Sequence, residues 1–123
     1  MSRPIFIVII LLIAVVAAVF RLQDLAERPM HGDEAVNAFK LGETLEGRGY
    51  EYDPHEYHGP SLNYLALLPA WLGGTRNYVE LQESMLRIVP VVFGTLLVLL
   101  VLPIGDVLGR VASVFVAMFT AVS

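Results

Sequence analysis

Cysteine is absent from this 123-residue chain, and charged side chains are scarce. Without cysteine, disulfides and thiolate metal sites are excluded. Charged residues make up only 16% of the sequence, whereas about 25% is usual in a soluble domain, so the composition indicates a membrane protein. The net charge is −4. Because a nucleic-acid-binding protein needs a basic face, this balance excludes nucleic acid as a partner.

What the chain has instead is long apolar runs. Residues 4–20 contain no charge and form about 26 Å of helix, close to the length needed to cross a bilayer. This run predicts a first membrane helix; a cleaved signal peptide is the alternative, although its core would exceed the usual length of about 7–15 residues. A second apolar run predicts another membrane helix over residues 88–108.

A third apolar run begins at Val111 and continues to Ser123 without a polar stop. It is too short to span a bilayer as it stands, so we expect 110–123 to be the start of a third membrane helix. Residues 1–123 would then be the N-terminal part of a longer membrane domain; a complete small membrane anchor is the alternative. The fold class predicted from these runs is an all-α, polytopic membrane protein.

The segment between the first two membrane helices, residues 21–87, is a large polar loop. It carries eleven of the twelve acidic residues and all three histidines. Arg3 and Arg110 would lie together on the opposite side of the membrane. Since basic residues favour the cytoplasmic side, we expect a multi-pass protein of the plasma membrane whose 21–87 loop is extracytoplasmic.

Two helices are predicted within the loop. Apolar residues from Ala35 to Leu45 recur at helical spacing, and Gly47 ends the pattern. Pro60 is suited to the first turn of a second helix, which carries Tyr64 and Trp71 but no charge. This second helix is short for a membrane span and has the aromatic residues of an interface, so we expect a juxtamembrane helix at the membrane surface or half-buried there.

Paired acids open the first of these loop helices, in the stretch "MHGDEAVNAF". One interpretation is structural, because Asp33 is a good N-cap residue and acids in a first turn complement the helix dipole. The other is chemical: Asp33 or Glu34 is a general base or metal ligand just outside the bilayer, where desolvation and a neighbouring like charge raise a pKa. The two interpretations are compatible, since a capping acid can also face a cleft.

Histidines and tyrosines supply further candidates. His55 and His58 have a spacing that zinc sites sometimes use, but one such pair alone favours surface histidines in a turn. With His31, Asp33 and Glu34 in the same loop, a site for a divalent metal ion stays open. Four tyrosines either stack against a sugar or mark the membrane interface, which is favoured: Tyr50, Tyr52, Tyr57 and Tyr64. Four basic residues are candidates for binding a phosphate, and nothing singles one out: Lys40, Arg48, Arg76 and Arg87.

Taken with the apolar helices, the motifs "HGDEA" and "YHGPSLNYL" resemble the start of the GT-C membrane glycosyltransferases. The protein O-mannosyltransferases and lipid A aminoarabinose transferases are similar. "MHGDEAVNAF" and "YDPHEYHGPSLNYL" are closer still to the flippase-activity-associated membrane proteins of archaeal-type glycosylation clusters. The resemblance covers nearly the whole chain, and its specificity lies in the two loop motifs.

The resemblance implies an inverting, GT-C-like transferase that moves a sugar from a polyprenyl-phosphate-linked donor to a glycan, lipid or protein acceptor at the outer face of the membrane. It implies Asp33 as the general base and Glu34 as its support, orienting a neighbour or holding a cation. Four residues would bind substrate: His31, Tyr57, His58 and Tyr64. Glu34 and His58 would be the ligands of any metal ion. The alternative is a non-catalytic, flippase-associated protein that binds lipid-linked sugar.

Two departures from the transferase pattern concern the acceptor. Ser61 and Asn63 stand where a second proline and a tyrosine are common in the transferases that the chain resembles. The acceptor of this chain is therefore expected to be bound differently.

Overall fold

The computed structural model describes residues 1–55 and 59–123, and in these ranges the chain is all-helical with no strand. The prediction of an all-α fold is confirmed. Six α-helices follow one another in the described ranges: α1 (Arg3–Leu22), α2 (Gly32–Leu45), α3 (Pro60–Leu72), α4 (Glu83–Leu99), α5 (Val101–Leu108) and α6 (Arg110–Val122). A 3₁₀ turn, Tyr78–Glu80, precedes α4.

The chain divides into two compact units. Unit 1 combines the two ends of the chain, Met1–Gln23 and Pro90–Ser123, and unit 2 is the intervening segment Asp24–Val89. Two helical stretches, Arg3–Leu22 and Glu83–Leu108, are long and apolar enough to cross a membrane. The second stretch comprises α4 and α5, which are separated at Leu100. Pro103 explains the break, because proline has no N–H to bond the carbonyl of Leu99 four residues earlier.

Unit 1 is a small helical bundle in which α1 and α5 both pack against α6. The buried face of α1 repeats at helical spacing and consists of Phe6, Ile10, Ala14 and Ala17. Val98, Val101 and Ala117 complete the core. Most of the remaining surface of α1 is also apolar, including exposed Leu12 and Val15. Unit 1 is therefore apolar both inside and outside.

The close approach of α1 to α5 in unit 1 depends on Gly105 of α5. A Cβ atom on this residue would overlap the Cζ atom of Phe6, whose side chain is buried. The ring of Phe6 thus occupies the space that any larger residue at position 105 would need. Gly109 then adopts a φ of 85° and starts α6, a conformation that glycine adopts without steric cost.

Unit 2 is built around α2, which packs against α3 and the 3₁₀ turn. Its apolar core contains Ala38 and Leu41 from α2, Ala66 from α3, and Leu86 and Val89 from the start of α4. Both predicted loop helices are found, and α2 is followed by Gly47 at a φ of 84°. The unit therefore joins the two loop helices to the first residues of α4.

The contact of α2 with the 3₁₀ turn requires a glycine. A Cβ atom on Gly42 would lie 2.7 Å from the Cβ of Tyr78 and 3.1 Å from its Cα. The same junction is closed by a hydrogen bond in which the backbone N–H of Tyr78 donates to Glu46 at 3.1 Å. Backbone thus packs directly against backbone at this point.

Candidate functional site

The paired acids lie in the first turn of α2, but Asp33 is not its cap. The N-cap residue is His31, α2 begins at Gly32, and Asp33 is the second helical residue. Glu34 contributes the capping contact, because its carboxylate accepts the backbone N–H of His31 at 3.1 Å. The expectation that Asp33 caps the helix is therefore wrong. The helix begins two residues earlier than expected, because an acid three positions after the N-cap can cap the helix from within its first turn. Glu34 stands at that position relative to His31.

Glu34 is held by a two-point contact with Arg87 of α4. The Nε of Arg87 donates to one carboxylate oxygen at 2.9 Å, and Nη2 donates to the other at 2.7 Å. Arg87 also donates to the backbone carbonyls of Leu25 at 2.7 Å and Pro29 at 3.3 Å. One guanidinium group thus fastens both the start of α2 and the segment that precedes it to the first turns of α4.

This contact fixes the charge of Glu34. Hydrogen bonds from Arg87 lower the pKa of the Glu34 carboxyl from 4.5 to about 2, against a smaller opposing effect of burial. At neutral pH Glu34 is therefore an anion whose charge is balanced by Arg87, and it has no proton to exchange. The bidentate geometry is the strongest way for an arginine to hold a carboxylate.

Asp33, its neighbour in sequence, is in a different state. Its side chain is 78% exposed, and its carboxylate lies 4.0 Å from Nδ1 of His31, which is 82% exposed. Among the described residues, His31 is the one basic side chain found within 4.0 Å of the Asp33 carboxylate. The backbone carbonyl of Asp33 accepts a hydrogen bond from Asn37 at 2.9 Å. The helix start thus presents the Asp33 carboxylate and the His31 ring side by side toward the outside of unit 2.

Tyr64 belongs to another cluster of unit 2. It lies on α3, is 56% exposed, and its ring centroid is 6.3 Å from that of Tyr50. Lys40 of α2 lies over the ring of Tyr50, with Nζ 5.5 Å from the ring centroid, and donates to the carbonyl of Glu51 at 3.1 Å. Two of the tyrosines named as sugar-stacking candidates are therefore neighbours.

Other predicted site residues cannot be placed. Tyr57 and His58 lie outside the described residues, and so does the suggested pairing of His58 with Glu34 in a metal site. Within residues 1–55 and 59–123, no three histidine, aspartate or glutamate side chains come together as a set of metal ligands. Both oxygens of Glu34 accept hydrogen bonds from Arg87, and a metal ion held by Glu34 and His58 stays a prediction.

The sequence left the role of Arg87 open. Arg87 was one of four basic candidates for a phosphate, and the structure instead binds its guanidinium to Glu34. A signal was present, because an arginine at the start of an apolar helix needs a nearby acceptor. The sequence alone does not reveal which of the eleven loop acids provides it, since the two residues are 53 positions apart.

Comparisons with known proteins do not assign a family. No protein-family model, curated protein sequence or solved structure matches the chain. A functional interpretation therefore depends on the residues at the start of α2 and on the motif resemblance.

Proposed function

We propose that the chain belongs to an inverting membrane glycosyltransferase of the GT-C type, which takes a sugar from a polyprenyl-phosphate-linked donor. In this proposal Asp33 is the catalytic base and the transfer occurs at the outer face of the plasma membrane. The protein is multi-pass, with residues 21–87 extracytoplasmic. Support comes from the resemblance of the two loop motifs and from the chemistry at the start of α2.

The observation that carries the proposal is the unequal state of two adjacent carboxylates. Glu34 is bound at both oxygens by Arg87, whereas the Asp33 carboxylate is exposed beside His31. A general base must reach the proton that it removes. Exposure makes the Asp33 carboxylate accessible for this role, and Glu34 serves as the anchor that holds the helix start in place.

The proposed reaction is a single displacement. The Asp33 carboxylate accepts the proton of an acceptor hydroxyl while the hydroxyl oxygen attacks the anomeric carbon of the donor sugar. The bond from that carbon to the phosphate oxygen breaks, and its electron pair leaves with the polyprenyl phosphate, inverting the configuration. In this proposal His31, whose ring lies 4.0 Å from the Asp33 carboxylate, orients the acceptor, and Tyr64 contacts the sugar at the aromatic pair with Tyr50.

The two stretches that are long and apolar enough to span a bilayer support the proposed membrane placement. A polyprenyl donor reaches its enzyme from within the bilayer, so the reacting carbon lies near the membrane surface. Unit 2 includes residues 83–89, the first part of the second such stretch. Through Arg87, the helix start that carries Asp33 is tied to the beginning of that stretch.

The proposal is tested by Asp33→Asn in the full-length protein, produced in membranes that are supplied with radiolabelled polyprenyl-phosphate sugar. We expect transfer to fall by a factor of about 10²–10⁴, because this is the usual contribution of a general base. Protein amount and membrane insertion should not change, since the Asp33 side chain is exposed. Glu27→Gln, which removes another exposed acid of unit 2, is the matched control and should retain transfer.

Normal transfer by Asp33→Asn would disprove the assignment of the base. If the unmodified protein binds the lipid-linked sugar but transfers none to any acceptor, the enzyme proposal fails. A non-catalytic, flippase-associated protein that binds lipid-linked sugar would then replace it.

A further inference from the structure

Unit 1 contains a cleft of about 210 Å³ between the start of α1 and α5. Most of its lining is apolar and includes Phe6 and Leu102, but two charged residues, Arg3 and Asp106, line it as well. Charge is rare in unit 1, and Asp106 is the one acidic residue in its sequence. We call this space the charged cleft and consider what could bind between its two charges.

The Asp106 carboxylate keeps one oxygen available. Arg110, one helical turn further on, donates from Nε at 3.2 Å and from Nη2 at 3.0 Å, and both hydrogen bonds end on the same oxygen, Oδ1. The Asp106 side chain remains 61% exposed. In the part of the chain that the structure describes, Oδ2 has no donor. Because an ionised carboxylate accepts at both oxygens, Oδ2 can take a hydrogen bond from a ligand.

Arg3 supplies a positive charge to the same cleft. Within residues 1–55 and 59–123, no carboxylate forms an ion pair with the Arg3 guanidinium, and Asp106 pairs with Arg110 instead. Arg3 and Asp106 therefore line one cleft without forming an ion pair with each other. A ligand that carries a negative group for Arg3 and a positive hydrogen-bond donor for Asp106 would match both.

An apolar groove of about 440 Å³ adjoins the charged cleft at Pro103, which lines both spaces. The groove follows α4 and α5 across the break at Leu100, and Phe93 and Leu97 are among its walls. About half of each of these two side chains is exposed. From Phe93 to Pro103 the helical stretch rises about 15 Å, half of the roughly 30 Å of a bilayer's hydrocarbon core. The groove is therefore about as long as one leaflet is deep.

The charged cleft lies at the end of unit 1 where the chain begins. Nη1 of Arg110 donates to the carbonyl of Met1 at 3.1 Å, so the start of α6 meets the start of the chain. In the proposed membrane placement this is the cytoplasmic end, on which arginines are favoured. Headgroups of the inner leaflet would then lie beside the charged cleft, and their acyl chains would lie beside the groove.

We propose that the charged cleft and the groove together bind one phosphatidylethanolamine molecule of the inner leaflet. The lipid phosphate lies at Arg3, the ammonium group donates to Oδ2 of Asp106, and one acyl chain lies in the groove. A choline headgroup has no N–H to donate and a glycerol headgroup has no positive charge, so each matches only one side of the cleft. This inference rests on the membrane placement under the proposed function, and it is independent of the chemistry assigned to Asp33.

Photolabelling tests the site in the full-length protein, placed in phosphatidylcholine liposomes with a trace of phosphatidylethanolamine that carries a diazirine on one acyl chain. Mass spectrometry locates the labelled residues. Residues 11–19 of α1, which present an exposed apolar face, measure contact with bulk lipid. Labelling of residues 93–103 should exceed labelling of 11–19 by about fivefold or more, the factor that one basic side chain contributes at a membrane surface.

Competition and substitution identify the headgroup. Unlabelled phosphatidylethanolamine in excess should abolish the preference for residues 93–103, whereas the same amount of phosphatidylglycerol should not. Arg3→Gln and Asp106→Asn should each reduce labelling of 93–103 to the level of bulk lipid. Arg28→Gln and Glu27→Gln, which remove exposed charges of unit 2, are the matched controls and should leave the preference unchanged.

Each contrary outcome has a distinct meaning. If the protein floats with the liposomes but residues 93–103 are labelled no more than 11–19, the lipid site is overturned and the membrane placement stands. Failure to float with the liposomes would overturn both. Stronger competition by phosphatidylglycerol, or stronger labelling in Asp106→Asn, would show that the cleft selects an anionic lipid, which also overturns the proposal. The transfer assay on Asp33→Asn is unaffected by any of these results.

Discussion

Unit 1 and unit 2 become compact by different means. In unit 1, apolar side chains lie on both the inner and the outer surfaces, and the inner surface is distinguished by fit, as where the ring of Phe6 fills the space over Gly105. In unit 2, polar contacts join distant segments, and Arg87 binds Glu34 and two backbone carbonyls at once. Unit 1 is therefore packed mainly by the fit of apolar side chains, whereas unit 2 adds charge and hydrogen bonds to its apolar core.

The two units show that different properties of the side chains determine which surfaces pack together. Where both faces of a helix are apolar, hydrophobicity does not select the inner face, so volume must do so. Where a helix carries acids and amides, the pairing of those groups determines which segments meet. Removal of the Arg87 charge should therefore weaken unit 2, and added volume at Gly105 should weaken unit 1.

The largest effect is expected from Arg87→Met, which keeps the apolar stem and removes the guanidinium. Because the Arg87 side chain is only 13% exposed, its loss should reduce the opening free energy of α2 by about 2–3 kcal/mol. This is less than the roughly 3–5 kcal/mol of a fully buried pair, since the partner carboxylate keeps 36% exposure. Hydrogen–deuterium exchange of the α2 amides measures the change.

Arg48→Met is the matched control. Its guanidinium pairs with Glu43 and Glu46 but is 58% exposed, and exposed ion pairs contribute about 0.2–1 kcal/mol. Equal effects of the two substitutions on the α2 amides would show that the Arg87 contact is not the one that holds the helix.

A smaller effect is expected from Gly105→Ala in unit 1. The added methyl group would displace the buried ring of Phe6, and overpacking of this kind costs about 1–3 kcal/mol. The thermal unfolding midpoint should fall, and Phe6→Leu in the same chain should restore part of it. Gly32→Ala in unit 2, where a Cβ meets nothing within 4 Å, should leave the midpoint unchanged or raise it slightly. A loss at position 32 as large as that at 105 would contradict the distinction between the units.

A further effect in unit 2 is expected from acid. The pKa of Glu34 is about 2 in the folded chain against an ordinary 4.5. Between these values the unfolded chain binds more protons than the folded one, so acid favours unfolding. The contribution of Glu34 is complete above pH about 4.5 and is lost as the pH falls toward 2.

Glu34→Gln isolates this contribution. Exchange of the α2 amides should show the unmodified protein more stable than the variant at pH 6, with the difference shrinking as the pH is lowered to 3. A difference that does not change with pH would exclude the carboxylate as its source.

The sequence predicted the helices well because their signals are local. The uncharged run that forms α1, the proline that opens α3 and the glycine that follows α2 each act within a few residues of the chain. The break at Leu100 was missed, although Pro103 is a local cause, because the apolar pattern continues across it. Helix positions can therefore be predicted from the sequence where the residues that start or end the helix lie within a single turn.

The candidate site was less readable because its main contact is not local. The paired acids were identified as the feature to examine, but their division into an anchored Glu34 and an exposed Asp33 depends on Arg87, 53 residues further along the chain. The N-cap was misassigned for a different reason, because its signal is local: Glu34 lies three positions after His31, and its hydrogen bond with the backbone of His31 fixes the helix start. Only the contact with Arg87 is invisible in the spacing of the sequence.

Gly42 and Gly105 appear alike in the sequence, yet natural variation should treat them differently. At position 105 the obstacle is the tip of a side chain, so the residues at 105 and 6 can exchange volume and should covary. At position 42 the obstacle is the Cβ and Cα of Tyr78. Every residue except glycine has both of these atoms. No side-chain replacement at 78 other than glycine makes room there, so position 42 should be invariant, without a covarying partner.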